Sequence, residues 1–124
     1  MRILLAEDDD AIRDIITRLL ERLDAEVEAA RDGAEALDIF RRRGSFDLVL
    51  LDLGMPALDG ERTARAMRDI EAGSGRPRAP IVALTGADED ETLARSGFDG
   101  MVQKPVGLSA LKGLLEKWSP GGGP

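Results

Sequence analysis

Short continuous apolar runs alternate along the chain with segments in which apolar residues recur at every third or fourth position. The continuous runs predict strands buried on both faces, and the periodic segments predict helices with one apolar side. Regular alternation of the two is typical of strand and helix units built around a parallel sheet. We therefore predict one α/β domain over residues 1–118, with residues 119–124 as a flexible tail or the start of a linker.

The predicted strands are short and mostly apolar. Asp52 closes the third run, which is the clearest buried strand, and polar and turn-forming residues follow it. The second run is the weakest in apolar residues, which predicts a strand at the edge of the sheet. The predicted strands are Ile3–Ala6, Ala25–Ala30, Phe46–Leu51, Ile81–Leu84 and Met101–Gln103.

Helices are predicted between and after these strands. Asp9 or Asp10 is expected to cap the first helix, because an acidic side chain accepts hydrogen bonds from the free N–H groups of a first turn. The composition of Gly73–Pro80 predicts a loop. The predicted helices are Ile12–Leu23, Ala34–Arg43, one that ends near Glu71, a short one near Asp90–Arg95, and Leu108–Trp118.

The residue types that the chain lacks narrow its chemistry. It has no cysteine and no histidine, which excludes disulfides, thiolate or imidazole metal ligands and histidine-based catalysis. Its net charge of -7 opposes binding to nucleic acid or to an anionic membrane. No apolar run is long enough to span a bilayer. We expect a cytoplasmic protein whose chemistry depends on carboxylates.

Polar side chains follow the predicted strands at the point where each one ends. Glu7 and Asp8 come after the first strand, Asp52 closes the third, Thr85 follows the fourth and Lys104 follows the fifth. The carboxyl ends of parallel strands share one edge of the sheet, and ligands of open α/β sheets bind there. These side chains are therefore expected to form one site.

Asp8 and Asp52 would repel each other at this edge unless a cation lay between them. Magnesium suits such a site, because it accepts one or two protein carboxylates plus a carbonyl oxygen and keeps several waters. Calcium is disfavoured, since the acidic run lacks the glycine and the distal glutamate of an EF-hand loop. The sequence therefore predicts a magnesium site.

The remaining residues at this edge complement a phosphoryl group. Lys104 can pair with an anionic oxygen, and Thr85 can donate a hydroxyl hydrogen bond to another. Taken singly, each is equally compatible with a surface lysine or a strand-ending hydroxyl. Asp52 is different, because an aspartate that closes a fully apolar strand before a turn indicates a site. With Asp52 as nucleophile, the set predicts phosphoryl transfer by positioning and charge neutralisation.

These residues, in this order, resemble the receiver domain of bacterial two-component response regulators. The resemblance covers residues 1 to about 118. Each motif alone is weak, but four motifs in register are highly specific. The motifs are Glu7-Asp8, Asp52-Leu53-Gly54-Met55-Pro56 with Asp59-Gly60, Leu84-Thr85-Gly86 and Lys104-Pro105.

The resemblance implies a flavodoxin-like fold, a doubly wound five-stranded parallel sheet in order 2-1-3-4-5 with helices on both faces. It implies a switch that takes a phosphoryl group from a phosphohistidine on a histidine kinase or histidine phosphotransfer protein, with Mg²⁺. Such a domain catalyses only its own phosphoryl transfer and dephosphorylation. The matching residues are Asp52 as phosphoacceptor, Glu7 and Asp8 as magnesium ligands, the backbone carbonyl of Gly54 as third ligand, Thr85 as switch hydroxyl and Lys104 as invariant lysine.

Three features depart from the family pattern. Met101 occupies the position on strand five where many receivers have an aromatic residue that turns inward. The segment from Thr85 to Lys104 is a few residues short, which predicts a short or absent helix within it. The loop Gly73–Pro80 is similar to that of receivers attached to hybrid histidine kinases. The chain is accordingly either a stand-alone receiver or a piece of a larger kinase.

Three alternatives stay open at the level of sequence. A phosphatase of the haloacid dehalogenase type also uses a strand-ending aspartate and magnesium, but its second aspartate would stand where this chain has Gly54. A flavodoxin-like cofactor binder is disfavoured by 3% aromatic residues and no Tyr. A degenerate receiver that binds partners without phosphorylation would not need the complete set of site residues.

Overall fold

A computed structural model describes residues 1–54, 60–86 and 97–118. Its centre is a five-stranded parallel sheet in the order β2-β1-β3-β4-β5. This confirms the predicted strand order and the edge position of the second strand. The strands are β1 (Arg2–Ala6), β2 (Glu26–Ala30), β3 (Leu48–Asp52), β4 (Ile81–Thr85) and β5 (Gly100–Gln103).

Helices cover both faces of the sheet, as the resemblance implies. One apolar cluster joins α2 and α3 to the sheet, and a second joins α1 and α4 to its other face. The helices of the described segments are α1 (Asp10–Arg22), α2 (Gly33–Arg43), α3 (Gly60–Ser74) and α4 (Leu108–Trp118). The short helix predicted near Asp90–Arg95, the Met55-Pro56 turn and the tail at residues 119–124 lie outside the described residues.

The turn between β1 and α1 is closed by Asp9. Its Oδ1 atom accepts a hydrogen bond of 2.9 Å from the backbone N–H of Ile12. Such a bond satisfies one of the free N–H groups that every helix has at its first turn. Of the two acids predicted as candidate caps, Asp9 is therefore the cap and Asp10 is the first residue of the helix.

The third helix is longer than the sequence predicts. It continues through Gly73 and Ser74, which the loop prediction had included. Two hydrogen bonds explain the extension: the Ser74 hydroxyl donates to the carbonyl of Ile70 at 2.6 Å, and the N–H of Arg76 donates to the carbonyl of Glu71 at 3.1 Å. These contacts satisfy carbonyls of the last turn.

The strand register determines which polar residues meet at the carboxyl edge of the sheet. Ala6 lies beside Leu51, and Asp52 lies beside Leu84. The residue after Ala6 is therefore next to the carboxyl end of β3.

In the described part of the chain, no helix combines the length and apolar character that crossing a membrane requires.

Candidate functional site

Three carboxylates converge at the carboxyl edge of the sheet. Glu7 and Asp8 follow β1, and Asp52 is the last residue of β3. Each of them offers an oxygen atom, and these atoms all lie within 4.8 Å of one another. The structure thus brings together the three acidic side chains that the sequence assigns to a metal site.

Burial distinguishes the three acids, and one lysine contacts two of them. Glu7 is fully buried and Asp52 is 5% exposed, whereas Asp8 lies at the surface. The Nζ atom of Lys104 lies 2.8 Å from Oε1 of Glu7 and 3.1 Å from Oδ1 of Asp52. Three carboxylates therefore face a single ammonium group.

This excess of acid changes the protonation of the site. Burial and the neighbouring Asp52 raise the pKa of Glu7 from 4.5 to about 7, although Lys104 opposes the shift. Burial alone would also raise the pKa of Asp52, but hydrogen bonds with Glu7 and with the Gly54 N–H, and the contact with Lys104, hold it below its ordinary value. Burial would lower the pKa of Lys104, but the two carboxylates raise it. Without a bound cation, Glu7 is thus the acid that keeps a proton near neutral pH.

The site fits a divalent cation. Although Oε1 of Glu7 is buried and lies close to Lys104, it accepts no hydrogen bond of good geometry from any residue in the described ranges. A buried polar atom without a hydrogen bond is costly unless another ligand reaches it. Mg²⁺ prefers oxygen ligands, so the oxygens of Glu7, Asp8 and Asp52 match what it takes.

Two glycines shape the backbone around Asp52. The N–H of Gly54 donates a hydrogen bond of 3.0 Å to Oδ1 of Asp52. Gly60, the first residue of α3, packs directly on the strand end, because a Cβ atom at this position would lie only 2.7 Å from the backbone oxygen of Asp52. Side-chain-free backbone at position 60 is therefore required for the close contact between α3 and the end of β3.

Comparison with known proteins identifies the family. The sequence matches the response regulator receiver domain family over residues 3–116. The chain belongs to this family. It is 36% identical over 121 residues to the sensor protein GacS of Pseudomonas syringae pv. syringae, an alignment that covers 95% of this chain but only 13% of that relative.

Solved receiver structures share the fold. A chain in the co-crystal of the Saccharomyces cerevisiae phosphotransfer protein Ypd1 with the receiver domain of Ssk1 matches with a TM-score of 0.88, 30% identity and coverage of 95% of this chain and 88% of that one. The receiver domain of the sensor histidine kinase PA1611 from Pseudomonas aeruginosa PAO1 matches with a TM-score of 0.83, 30% identity and coverage of 94% and 95%. That structure has a magnesium ion coordinated in its active-site cleft.

The other residues predicted for the receiver site have less direct contacts. Thr85 ends β4 and is 4% exposed, and its backbone carbonyl accepts a hydrogen bond of 2.7 Å from the N–H of Lys104. No hydrogen bond joins the Thr85 hydroxyl to Asp52 among the described residues. Lys104 is followed by a cis peptide bond to Pro105. The roles of the Thr85 hydroxyl and of the Gly54 carbonyl stay predictions.

Met101 lies on the strand where the family pattern leads us to expect an aromatic side chain. It is half-buried and packs against the apolar cluster formed with α2 and α3. The Met101 side chain therefore packs against the core without an aromatic ring, because a methionine side chain adapts readily to irregular packing.

Sequence reasoning missed one residue of the site, Arg13. Its Nη1 atom donates a hydrogen bond of 3.0 Å to the backbone carbonyl of Glu7, and its Nη2 atom lies 2.5 Å from Oδ1 of Asp10. The three-residue spacing of Asp10 and Arg13 on a predicted helix is a signal for that ion pair. No pattern in the sequence predicts the hydrogen bond from Arg13 to the carbonyl of Glu7.

Proposed function

We propose that this receiver domain accepts a phosphoryl group on Asp52 and acts as a switch in a phosphorelay. One observation carries the proposal: Glu7, Asp8 and Asp52 converge within 4.8 Å, and among the described residues Lys104 is the cation that contacts their carboxylates. A structural ion pair would be balanced, whereas this arrangement suits a divalent ion and an incoming anion.

The side chains have separable roles in the proposed transfer. A carboxylate oxygen of Asp52 forms a bond to phosphorus as the phosphorus–nitrogen bond of a phosphohistidine breaks, and the donor imidazole leaves. Lys104, which contacts Asp52 at 3.1 Å, would pair with a phosphoryl oxygen. The Thr85 hydroxyl would donate a hydrogen bond to another phosphoryl oxygen. The N–H of Gly54 holds Oδ1 of Asp52 in place.

Magnesium is the proposed cofactor. Glu7, Asp8, Asp52 and the backbone carbonyl of Gly54 would hold it, and the ion would neutralise charge on the transferred group. Since Gly54 stands where a haloacid dehalogenase phosphatase has its second aspartate, we propose that the domain turns over no phosphate ester. It would catalyse only its own phosphorylation and dephosphorylation.

The proposed donor is a histidine kinase or a histidine phosphotransfer protein. Ile12 and Ile15 on α1 are 36% and 54% exposed, and with Pro105 and Val106 they line an apolar groove of about 120 Å³ beside Lys104. A donor that reaches Asp52 must cover this rim. Because exposed large apolar side chains grouped at one place indicate a protein contact, we propose that the helix bearing the phosphohistidine docks here.

The docking surface is tested by comparing two phosphoryl donors. Phosphorylated Ypd1 needs a protein contact, whereas acetyl phosphate does not. We expect Ile15→Glu to slow transfer from phosphorylated Ypd1 and to leave labelling by acetyl phosphate unchanged. Labelling of the wild type and of Ile15→Glu by phosphorylated Ypd1 at the same measurable rate would contradict the surface, without affecting the assignment of Asp52.

The phosphoacceptor is tested by intact mass after incubation with acetyl phosphate and Mg²⁺. The wild type should gain the mass of one phosphoryl group, and EDTA should prevent the gain. Asp52→Asn should gain nothing, whereas the control Asp38→Asn, which changes an exposed acid on α2, should behave as the wild type. A gain that survives Asp52→Asn would refute the proposal.

We also propose that residues 1–118 form the receiver domain, that residues 119–124 are a flexible tail or linker start, and that the domain works in the cytoplasm. The family match over residues 3–116 and the lack of cysteine support this. Limited proteolysis should remove the tail and leave the domain intact, and cleavage within the sheet instead would contradict the boundary. Because the chain spans only 13% of GacS, activities of a complete kinase do not transfer to it.

A further inference from the structure

Arg13, in the first turn of α1, packs against the turn between β1 and α1 that carries Glu7 and Asp8. Its guanidinium forms a fork, with Nη1 donating to the carbonyl of Glu7 at 3.0 Å and Nη2 contacting the carboxylate of Asp10 at 2.5 Å. The Arg13 side chain is only 18% exposed, whereas that of Asp10 is 86% exposed. The arginine therefore lies packed over the turn, and Asp10 holds its outer side.

Of the three clustered acids, Asp8 has the fewest side-chain contacts. Glu7 and Asp52 are buried and both contact Lys104. Asp8 is exposed, and within the described segments its carboxylate takes part in no hydrogen bond or ion pair. Its direction therefore depends on the backbone on either side of it: the N–H of Asp9 donates to Oε2 of Glu7 at 3.3 Å on the following side, and Arg13 contacts the preceding side.

The backbone that precedes Asp8 is held by Arg13. The carbonyl of Glu7 belongs to the planar peptide unit that joins Glu7 to Asp8, so a donor that holds this oxygen also sets the orientation of the unit. The Arg13 fork is anchored at its other end by Asp10, which restricts its own rotation. The consequence is a defined direction for the Asp8 side chain.

We infer that Arg13 is a positioning residue for the metal site: it aims Asp8 at the cation through the carbonyl of Glu7. The inference rests on the proposed magnesium site and adds to it a residue that the cation does not touch. Groups that orient metal ligands from behind commonly contribute strongly to metal affinity.

The sign of the effect separates positioning from simple electrostatics. Arg13 carries a positive charge near the site, so its charge alone repels Mg²⁺. If charge were its only contribution, Arg13→Met would bind Mg²⁺ more tightly than the wild type. If Arg13 positions Asp8, the same substitution weakens binding despite the removal of a repelling charge.

The test is calorimetric titration of the intact chain with Mg²⁺. We expect Arg13→Met to raise the dissociation constant about tenfold, the low end of the losses seen when an outer partner of a metal ligand is removed. The matched control is Arg18→Met, which removes the same charge one turn later from an exposed pair with Asp14 and should not weaken binding.

Each outcome decides the matter. Binding by Arg13→Met that is as tight as in the wild type, or tighter, overturns the inference, while absence of Mg²⁺ binding in the wild type overturns the proposed function instead. Amide chemical shifts of Asp8 and Asp9 without Mg²⁺ should change in Arg13→Met and not in Arg18→Met. If Arg13→Met does not fold, Arg13→Lys keeps the charge but not the fork, so it should weaken binding by a smaller factor, and unchanged binding would overturn the inference.

Discussion

Two charged clusters lie at opposite edges of the sheet, and they are built on opposite principles. The carboxylate cluster at the carboxyl edge consists of Glu7, Asp8 and Asp52, and Lys104 is the one cation in the described segments that contacts their carboxylates. The arginine cluster at the amino edge is balanced, with two guanidinium groups and two carboxylates. Its members are Arg68, Glu71, Arg78 and Asp99.

Both carboxylates of the arginine cluster are fully hydrogen-bonded. Both oxygens of Glu71 are bonded, one by Arg68 at 2.8 Å and the other by the N–H of Ala79 at 2.6 Å. Both oxygens of Asp99 are bonded as well, by Arg78 on one side and by Arg68 and the N–H of Ile81 on the other. By contrast, Oε1 of Glu7 has a charge contact without a hydrogen bond.

This difference is the one we expect between a structural ion cluster and the proposed metal and phosphoacceptor site. A buried charge is tolerated when it is paired and fully hydrogen-bonded, which makes the arginine cluster a clamp between α3 and the starts of β4 and β5. The carboxylates of the other cluster are not fully neutralised or hydrogen-bonded, so they would bind a cation, and that cation would in turn attract an anion. Charge balance and hydrogen-bond completeness therefore distinguish the two roles better than the number of charges does.

The strongest way to break the comparison is to remove Arg68. Its side chain is 15% exposed and also donates to the carbonyls of Gly97 and Ala79, so Arg68→Met would leave the buried carboxylate of Glu71 without its cationic partner. We expect a loss of about 3 kcal/mol in the free energy of unfolding, measured by urea denaturation. Phosphorylation of the folded fraction should persist.

The matched control for Arg68 is Arg42, which pairs with Asp38 at 3.0 Å on the surface of α2 with both side chains about 60% exposed. Arg42→Met should cost less than about 0.5 kcal/mol, the usual contribution of an exposed pair four residues apart. Similar losses for the two variants would show that the arginine cluster is not a special structural unit.

The arginine cluster also marks the limit of what the sequence predicts. The strands begin within two residues of their predicted positions, because apolar runs and turn residues are local signals. Arg68 reaches Gly97 and Asp99, which are 29 and 31 positions away. No local pattern encodes such a contact, and its partners carry no motif.

The carboxylate cluster is easier to predict from the sequence than the arginine cluster, because its residues lie at the ends of predicted strands. A parallel sheet places the carboxyl ends of β1, β3 and β5 at one edge. The sequence alone therefore predicts that Glu7, Asp52 and Lys104 lie close together. What could not be predicted is that Lys104 contacts both acids and that Arg13 holds the carbonyl of Glu7. Those contacts depend on side-chain packing at the turn.

The two clusters should respond to pH in opposite directions. The folded-state pKa of Glu7, about 7, is above its ordinary 4.5, so its contribution to stability is complete below pH 4.5 and is lost as pH rises through 7. Without Mg²⁺ we expect a loss on the order of 2 kcal/mol between pH 5 and 8. Urea denaturation across this range should show a much flatter profile for Glu7→Gln, and an equally steep profile would contradict the assignment.

Asp99 should give the opposite pH dependence of stability. Burial alone would raise its pKa, but hydrogen bonds from Arg78 and Ile81 and the charge of Arg68 hold it below the ordinary 3.8. Its contribution to stability is therefore present above pH 3.8 and is lost as pH falls through the lower folded-state value. Asp99→Asn should lose stability at pH 7 and be less sensitive to acid than the wild type, while keeping the slope between pH 5 and 8.

Gly60 tests the comparison at the backbone of the carboxylate cluster. In Gly60→Ala, the new methyl group would meet the backbone oxygen of Asp52 at 2.7 Å, so α3 or the end of β3 must shift. We expect a cost of about 1 to 3 kcal/mol, typical of overpacking, and slower labelling by acetyl phosphate because Asp52 moves.

The control for Gly60→Ala is Gly113→Ala on α4, where the added Cβ would meet no heavy atom within 4 Å other than those of its chain neighbours and its own helix backbone. It should raise stability by up to about 1 kcal/mol, since alanine favours helix more than glycine does, and it should leave labelling unchanged. If Gly60→Ala were labelled at the wild-type rate despite lower stability, the position of the Asp52 backbone would not limit the chemistry. The carboxylate cluster would then tolerate displacement, and its side-chain charges alone would determine the reaction.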